Sequence, residues 1–194
     1  IPNLVKPVTP STGKLLLVRH AESEWNVLGR WTGRTNVNLS EKGFHDASLL
    51  GKAIESADIS IDQAFCSEQV RTLETLEIML SAARQSDTPM ARRSAINERD
   101  YGEYTAKNKW DMEKMVGEDE FTGIRRGWDH AVPGGETLKM VYERVVPFYN
   151  QEVVPLLKAG KNVAMVAHGN SLRALIKYIE DLSDEAIESL EMPF

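Results

Sequence analysis

The chain holds four histidines, His20, His45, His130 and His168, and two of them share a setting. His20 follows the apolar run Leu15 to Val18 and a single Arg19; His168 follows Val163 to Ala167. Both runs are short and apolar without alternation, the pattern of strands buried on both faces. Side chains just past such strands stand where α/β sheets bind ligands. Imidazole titrates near 6.5, so it serves as nucleophile or proton carrier at neutral pH. A single histidine at a strand end is as readily a satisfied polar residue. The pair, one beside Arg19 and the other before Gly169-Asn170-Ser171, points to one shared site. His45 falls on the polar side of a helical segment and reads as solvated. His130 precedes Val132-Pro133 in a loop and fits either role.

Arg19 ends an apolar run, and a charge at the mouth of a buried strand needs a partner. A phosphate suits a guanidinium fork; a structural salt bridge is the alternative. Arg71 lies four residues after Ser67, near the start of a helix that follows a strand. Helix N-termini favour anions, so Arg71 could join a phosphate pocket, though a solvated surface Arg is the usual case. Gly169 permits close backbone approach at a strand-to-helix turn, whose free N–H groups can face an anion. Together these residues suit phosphoryl transfer, which needs in-line positioning and positive charge around the equatorial oxygens. A cysteine phosphatase would need five residues between its Cys and Arg; four separate Cys66 from Arg71. A zinc hydrolase would need an HExxH or a Cys pair, and neither is present.

The elements that position these residues follow from periodicity. Besides the two apolar runs, Ile61 to Phe65 is a third strand candidate, interrupted by Asp62 and Gln63. After Ser40, an N-cap candidate, Phe44, Ala47, Leu50 and Ile54 form one helical face. After Ser67 the stripe is Val70, Leu73, Leu76, Leu80 and Ala83. A long helix from Glu136 offers Leu138, Val141, Val145, Phe148 and Tyr149, and Leu172, Leu175, Ile176 and Ile179 line another after His168. Strands alternating with helices predict an α/β fold: a mostly parallel central sheet with helices on both faces. Residues 1–13 form an N-terminal extension and 14–194 one domain. Within it, about 100–133 is a polar, Gly-punctuated insertion over one sheet edge, with a short helix around Trp110 to Met115.

The 194 residues are 42% hydrophobic and 27% charged, which describes a globular chain with a sizeable core. The net charge of −6 argues against a nucleic-acid partner. No apolar run approaches a membrane span, and residues 1–13 lack the apolar core of a leader. The single Cys66 forms no internal disulfide, so a cytoplasmic setting is expected.

Leu17-Val18-Arg19-His20-Ala21-Glu22-Ser23-Glu24-Trp25-Asn26 resembles the "LVRHGxSxWN" signature of the histidine phosphatase superfamily. Arg30-Trp31-Thr32-Gly33, with Val37 to Gly43, is similar to the "FTG…LSEKG" of its 2,3-bisphosphoglycerate-dependent phosphoglycerate mutases. Ile96 to Gly102, Pro133 to Leu138 and Ala167 to Leu175 resemble their "LNERxYG", "PGGESL" and "AHGNSLRAL". These matches run in order along nearly the whole chain.

The resemblance implies a histidine phosphatase fold and a phosphohistidine at His20. It implies that Arg19, Arg71 and His168 hold the transferring group, with Asn26, Gly169 and Asn170 nearby. Glu98 would exchange a proton with the substrate oxygen; taken alone, Glu98 beside Arg99 reads as an ion pair. Ser23, Thr32, Gly33, Tyr101, Lys109, Arg125 and Arg126 would contact phosphoglycerate, although an Arg-Arg pair can equally be a solvated basic edge. The implied reaction interconverts 3-phosphoglycerate and 2-phosphoglycerate, primed by 2,3-bisphosphoglycerate and without a metal. Relatives also include phosphatases, and many are homodimers or homotetramers. Ala21 stands where a Gly is usual, and Glu103 to Ala106 departs from the family's "ALQG"-like stretch. Relatives continue past the position of Phe194 with a turn and a further strand, so an unaccounted sheet edge or lid is expected.

Overall fold

The structure, a computed structural model, describes residues 12–192. Its strands are β1 (Leu15–Arg19), β2 (Gln63–Cys66), β3 (Met90–Arg92) and β4 (Val163–Ala167). They form one sheet in the order β1-β4-β2-β3, and every pairing is parallel. The expected third strand starts two residues late. Asp62 N–H still bonds to Asn162 O (2.9 Å) and Ile61 N–H to the Gln85 side chain (2.8 Å), so the ladder opens at Gln63. β3 was not foreseen; three residues, two of them exposed, carry no apolar pattern.

Side chains alternate across the sheet, and each face carries its own core. Leu15, Leu17, Phe65, Val163, Met165 and Ala167 pack with Leu138, Val141, Val145, Leu172 and Leu175. These last come from α6 (Leu138–Phe148) and α8 (Gly169–Ile179). On the other face Leu16, Val18, Ala64, Cys66, Ala164 and Val166 pack with Ile54, Leu76, Met79 and Leu80. These helices are α2 (Glu41–Ser56) and α3 (Val70–Ala82). Helices on both faces are thus borne out. Ser40 caps α2 by accepting from Gly43 N–H (3.0 Å). The predicted stripe on α2 is corrected: Phe44 is 44% exposed, and the buried positions are Gly43, Ala47, Gly51 and Ile54. Glycine makes room there for backbone rather than side chains. A Cβ on Gly43 would meet Glu22 O at 2.1 Å, and one on Gly51 would meet Met79 O at 2.3 Å.

The segment 100–133 holds two helices rather than one, α4 (Lys109–Val116) and α5 (Glu118–Arg126). They close a third small core of Trp31, Tyr101, Met112, Phe121, Ile124 and Val132. This core is why a polar-looking segment folds at all. The helix expected from Glu136 starts at Leu138 behind the Thr137 cap and carries Pro147 inside it. It passes through a π-type turn at Tyr149–Val153 into α7 (Val154–Lys158). A short α1 (Glu24–Val27) and a late α9 (Asp184–Ser189) complete the fold. The extension predicted over residues 1–13 falls almost wholly outside the described residues; Gly13 N–H already bonds to Leu157 O (2.8 Å). No helix among the described residues is long and apolar enough to cross a membrane.

Candidate active site

All four strands deliver a residue of interest just past their C-terminal ends. β1 ends in Arg19, and His20 follows it. β4 leads into His168, Gly169 and Asn170 at the start of α8. β2 leads through Ser67 and Gln69 to Arg71 on α3, and β3 leads through a 3-10 turn to Glu98. The register pairs Arg19 with Ala167, and His20 N–H extends the ladder to Ala167 O (2.9 Å). His20 and His168 therefore stand side by side, ring centroids 5.1 Å apart and tilted by 60°.

His20 is buried, with Nδ1 2.7 Å from Ala21 O. A carbonyl only accepts, so Nδ1 carries the proton and Nε2 keeps its lone pair. Arg71 Nε donates to that Nε2 (3.3 Å). Burial first, and then Arg71, pushes the His20 pKa well below its usual value, so the ring is neutral at pH 7. His168 is lowered in the same way by burial and Arg71. Its Nε2 lies 2.8 Å from Ser67 Oγ.

Arg71 is buried, not the surface residue that its type suggests. It donates to Thr35 O and Gly33 O, each at 3.0 Å. Burial lowers its pKa to about 10, which leaves it charged at pH 7. Arg19 is half-buried and donates to Met192 O (2.6 Å).

Glu98 does not pair with Arg99 side chain to side chain. The Arg99 guanidinium donates to Ile124 O and lies over the Tyr101 ring, 4.6 Å from its centroid. Glu98 Oε1 accepts from Arg99 N–H (2.7 Å) and from Asn170 Nδ2 (3.1 Å). Among the described residues Oε2 receives no hydrogen bond. Asn170 Nδ2 also donates to the Tyr101 hydroxyl (2.9 Å).

Arg19, His20, Arg71, Glu98, Tyr101 and Asn170 border a cavity of about 370 Å³; His168, fully buried beside His20, is not among its lining residues. Asn26, Thr32 and Gly33 form one side, and Lys109, Arg125 and Arg126 bring charge from α4 and α5. Lys109 Nζ lies over the Trp31 ring, 5.5 Å from its centroid; burial and Arg125 lower its pKa to about 8. Arg126 donates to Leu190 O (3.2 Å) and pairs with the Glu191 carboxylate. Ser23 is buried away from the cavity wall, where its hydroxyl caps α1 by accepting from Asn26 N–H (3.3 Å). Of the remaining histidines, His45 is exposed and His130 bonds to Glu120 (3.0 Å) outside the cavity. Cys66 is buried and its thiol is pushed up to about 11 by burial, which rules it out as a thiolate at neutral pH.

The profile of the histidine phosphatase superfamily (branch 1) matches residues 15–193. This chain belongs to that superfamily. A 2,3-bisphosphoglycerate-dependent phosphoglycerate mutase of Rhodopseudomonas palustris is 41% identical, over 92% of this chain and 86% of the relative. Another, of Lactiplantibacillus plantarum, is 39% identical over 92% of this chain and 89% of the relative. The solved alpha-ribazole phosphatase of Shigella flexneri is 26% identical, with a TM-score of 0.76 over 92% of this chain and 85% of that one.

Sequence reasoning missed several residues of this histidine phosphatase site. Gln69 bonds both to Gly33 O and to Glu98 N–H. Arg144 on α6 donates to the carbonyls of Ala95, Asn97 and Glu98 and to Glu136. Arg173 on α8 holds Arg126 O (2.9 Å) and Ile187 O (2.7 Å). A charge or amide inside an apolar helical stripe was the available signal; Arg144 beside Val141 and Val145 carries it, as does Arg173 beside Leu172.

Proposed function

We propose that the protein is a phosphoglycerate mutase that interconverts 3-phosphoglycerate and 2-phosphoglycerate through a phosphohistidine at His20. The observation that carries this is the charge of the cavity. Six cationic side chains (Arg19, Arg71, Lys109, Arg125, Arg126, Arg173) line it against two carboxylates, Glu98 and Glu191. Such an excess suits a substrate with a second anionic group besides its phosphate. Arg19 and Arg71 lie beside the histidines; Lys109, Arg125 and Arg126 come from the α4–α5 side and suit a carboxylate.

In this mechanism phosphorylated His20 first gives its phosphoryl group to the free hydroxyl of the phosphoglycerate; Nε2 of the neutral His20 so released then attacks the other phosphorus of the bisphosphate formed, while Arg19, Arg71 and His168 stabilise charge on the equatorial oxygens. The bond between phosphorus and the ester oxygen breaks as the P–N bond forms. Glu98 Oε2 takes the proton of the accepting hydroxyl in the first transfer and returns it to the departing oxygen in the second. The same cations fit 2,3-bisphosphoglycerate, which when bound supplies the phosphoryl group that charges His20. The names of the curated relatives support this reading, and their identities of 39–41% span most of each chain.

The likeness to an alpha-ribazole phosphatase makes phosphate removal the competing outcome. The two readings part at the carboxylate end. Arg125→Ala should cost mutase kcat/KM about 10- to 100-fold, the worth of one charge-assisted hydrogen bond. His20 should still become phosphorylated, seen by mass spectrometry of the His20 peptide. Unchanged mutase kinetics in this variant would remove the carboxylate role.

A further inference from the structure

We infer that Gln69 is a positioning residue for proton transfer, because its side-chain amide ties the Glu98 backbone to the loop around Gly33. The inference rests on the acid role proposed above for Glu98. Gln69 is buried and occupies the N-cap position of α3. An N-cap side chain usually turns back onto the N–H groups of its own helix. Gln69 makes no such bond and reaches outward instead. Its Nε2 donates to Gly33 O (2.8 Å) and its Oε1 accepts from Glu98 N–H (2.7 Å). The partners have opposite polarity, so only one orientation of the amide satisfies both.

One buried side chain thus joins three parts of the site. The start of α3 carries Arg71, the loop carries Thr32 and Gly33, and the third segment carries Glu98. Arg71 Nη2 donates to the same Gly33 O (3.0 Å), so the guanidinium beside His20 and the Gln69 amide share an acceptor. From the opposite side of the Glu98 segment, Arg144 donates to Glu98 O (3.2 Å) and Asn97 O (3.0 Å). The Glu98 backbone is therefore held at its N–H by Gln69 and at its C=O by Arg144. Asn170 and the Arg99 N–H fix Oε1. What remains is Oε2 at a set distance from the leaving oxygen. Proton transfer in a transition state depends steeply on that distance.

The test separates proton donation from everything else the site does. Para-substituted phenyl phosphates share a phosphoryl group and differ in the basicity of the departing phenolate. A weakly basic nitrophenolate leaves without a proton; a basic phenolate needs one. For these esters kcat/KM reports the first transfer to His20. The full chain is compared with Glu98→Gln and Gln69→Leu. The expected result is a shallow dependence on leaving-group basicity for the unaltered chain and a steep one for both variants. In Gln69→Leu the nitrophenyl-to-phenyl ratio of kcat/KM should rise about ten-fold or more. Gln69→Asn leaves the amide one methylene short, should give the same steep line, and covers a Leu variant that does not fold. A shallow line in the Gln69 variants beside a steep one in Glu98→Gln would overturn the inference. An equal loss on every ester would also overturn it, since that is how a merely structural residue behaves. A shallow line in Glu98→Gln would instead remove the acid role itself, and the inference with it.

Discussion

Burial acts in the same sense on the two kinds of cation in this site, with different outcomes at neutral pH. At His20 and His168 it removes the proton and leaves neutral rings at pH 7, one of them with its Nε2 lone pair available. At Lys109 it brings the pKa down to about 8, so the side chain is still mostly charged at neutral pH but loses its proton just above. Lys109 is cationic below about pH 8 and neutral above it, so its pull on an anion is present at low pH and lost as pH rises. KM for 3-phosphoglycerate should therefore climb as pH passes through about 8. Bound substrate should in turn raise the Lys109 pKa, which keeps the climb out of kcat. In Lys109→Met the climb should flatten. Steady-state kinetics from pH 6.5 to 9.5, a window of roughly 1.5 units on either side of that pKa, checks this. A KM that stays flat in the unaltered chain would place Lys109 outside the binding face.

Helix and strand placement shows where sequence patterns inform and where they fail. β1 and β4 were legible because both of their faces are covered and their residues read as unbroken apolar runs. β3 was illegible because a three-residue edge strand takes its place from backbone pairing with β2 rather than from its own side chains. On α2 the apolar pattern misled: Phe44 was assigned inward, yet the helix approaches α3 so closely that only glycine fits at position 51. Gly51→Ala would set a Cβ 2.3 Å from Met79 O and 2.6 Å from Ala82 Cβ. Backbone cannot yield there cheaply, so the variant should lose about 1–3 kcal/mol of stability. Urea unfolding should show a lower midpoint at unchanged m. A midpoint equal to that of the parent would mean that α2 and α3 separate without strain.

Across the whole molecule, four parallel strands converge on one cavity from their C-terminal ends. Of the residues found by chemistry alone, Arg19, His20 and Arg71 meet there, with His168 buried beside His20, because of sheet order. β1 and β4 are neighbours although Leu17 and its partner Met165 are 148 positions apart. No local pattern reveals such a pairing. The shared setting of His20 and His168 past two buried strands pointed to it, and the motif resemblance assigned both to one site. Gln69, Arg144 and Arg173 stayed hidden for the opposite reason. Each acts by holding backbone carbonyls or N–H groups of distant segments, and residue type alone does not say which backbone a side chain will reach.

A coupled assay tests most directly whether a phosphoryl group is relocated through His20. The full chain, first freed of phosphate on His20, is supplied with 3-phosphoglycerate, and formation of 2-phosphoglycerate is followed with and without 2,3-bisphosphoglycerate. The predicted result is little turnover until the bisphosphate is added, sustained turnover afterwards, and none in His20→Ala under either condition. Full turnover without the bisphosphate, or release of inorganic phosphate in place of 2-phosphoglycerate, would contradict the claim.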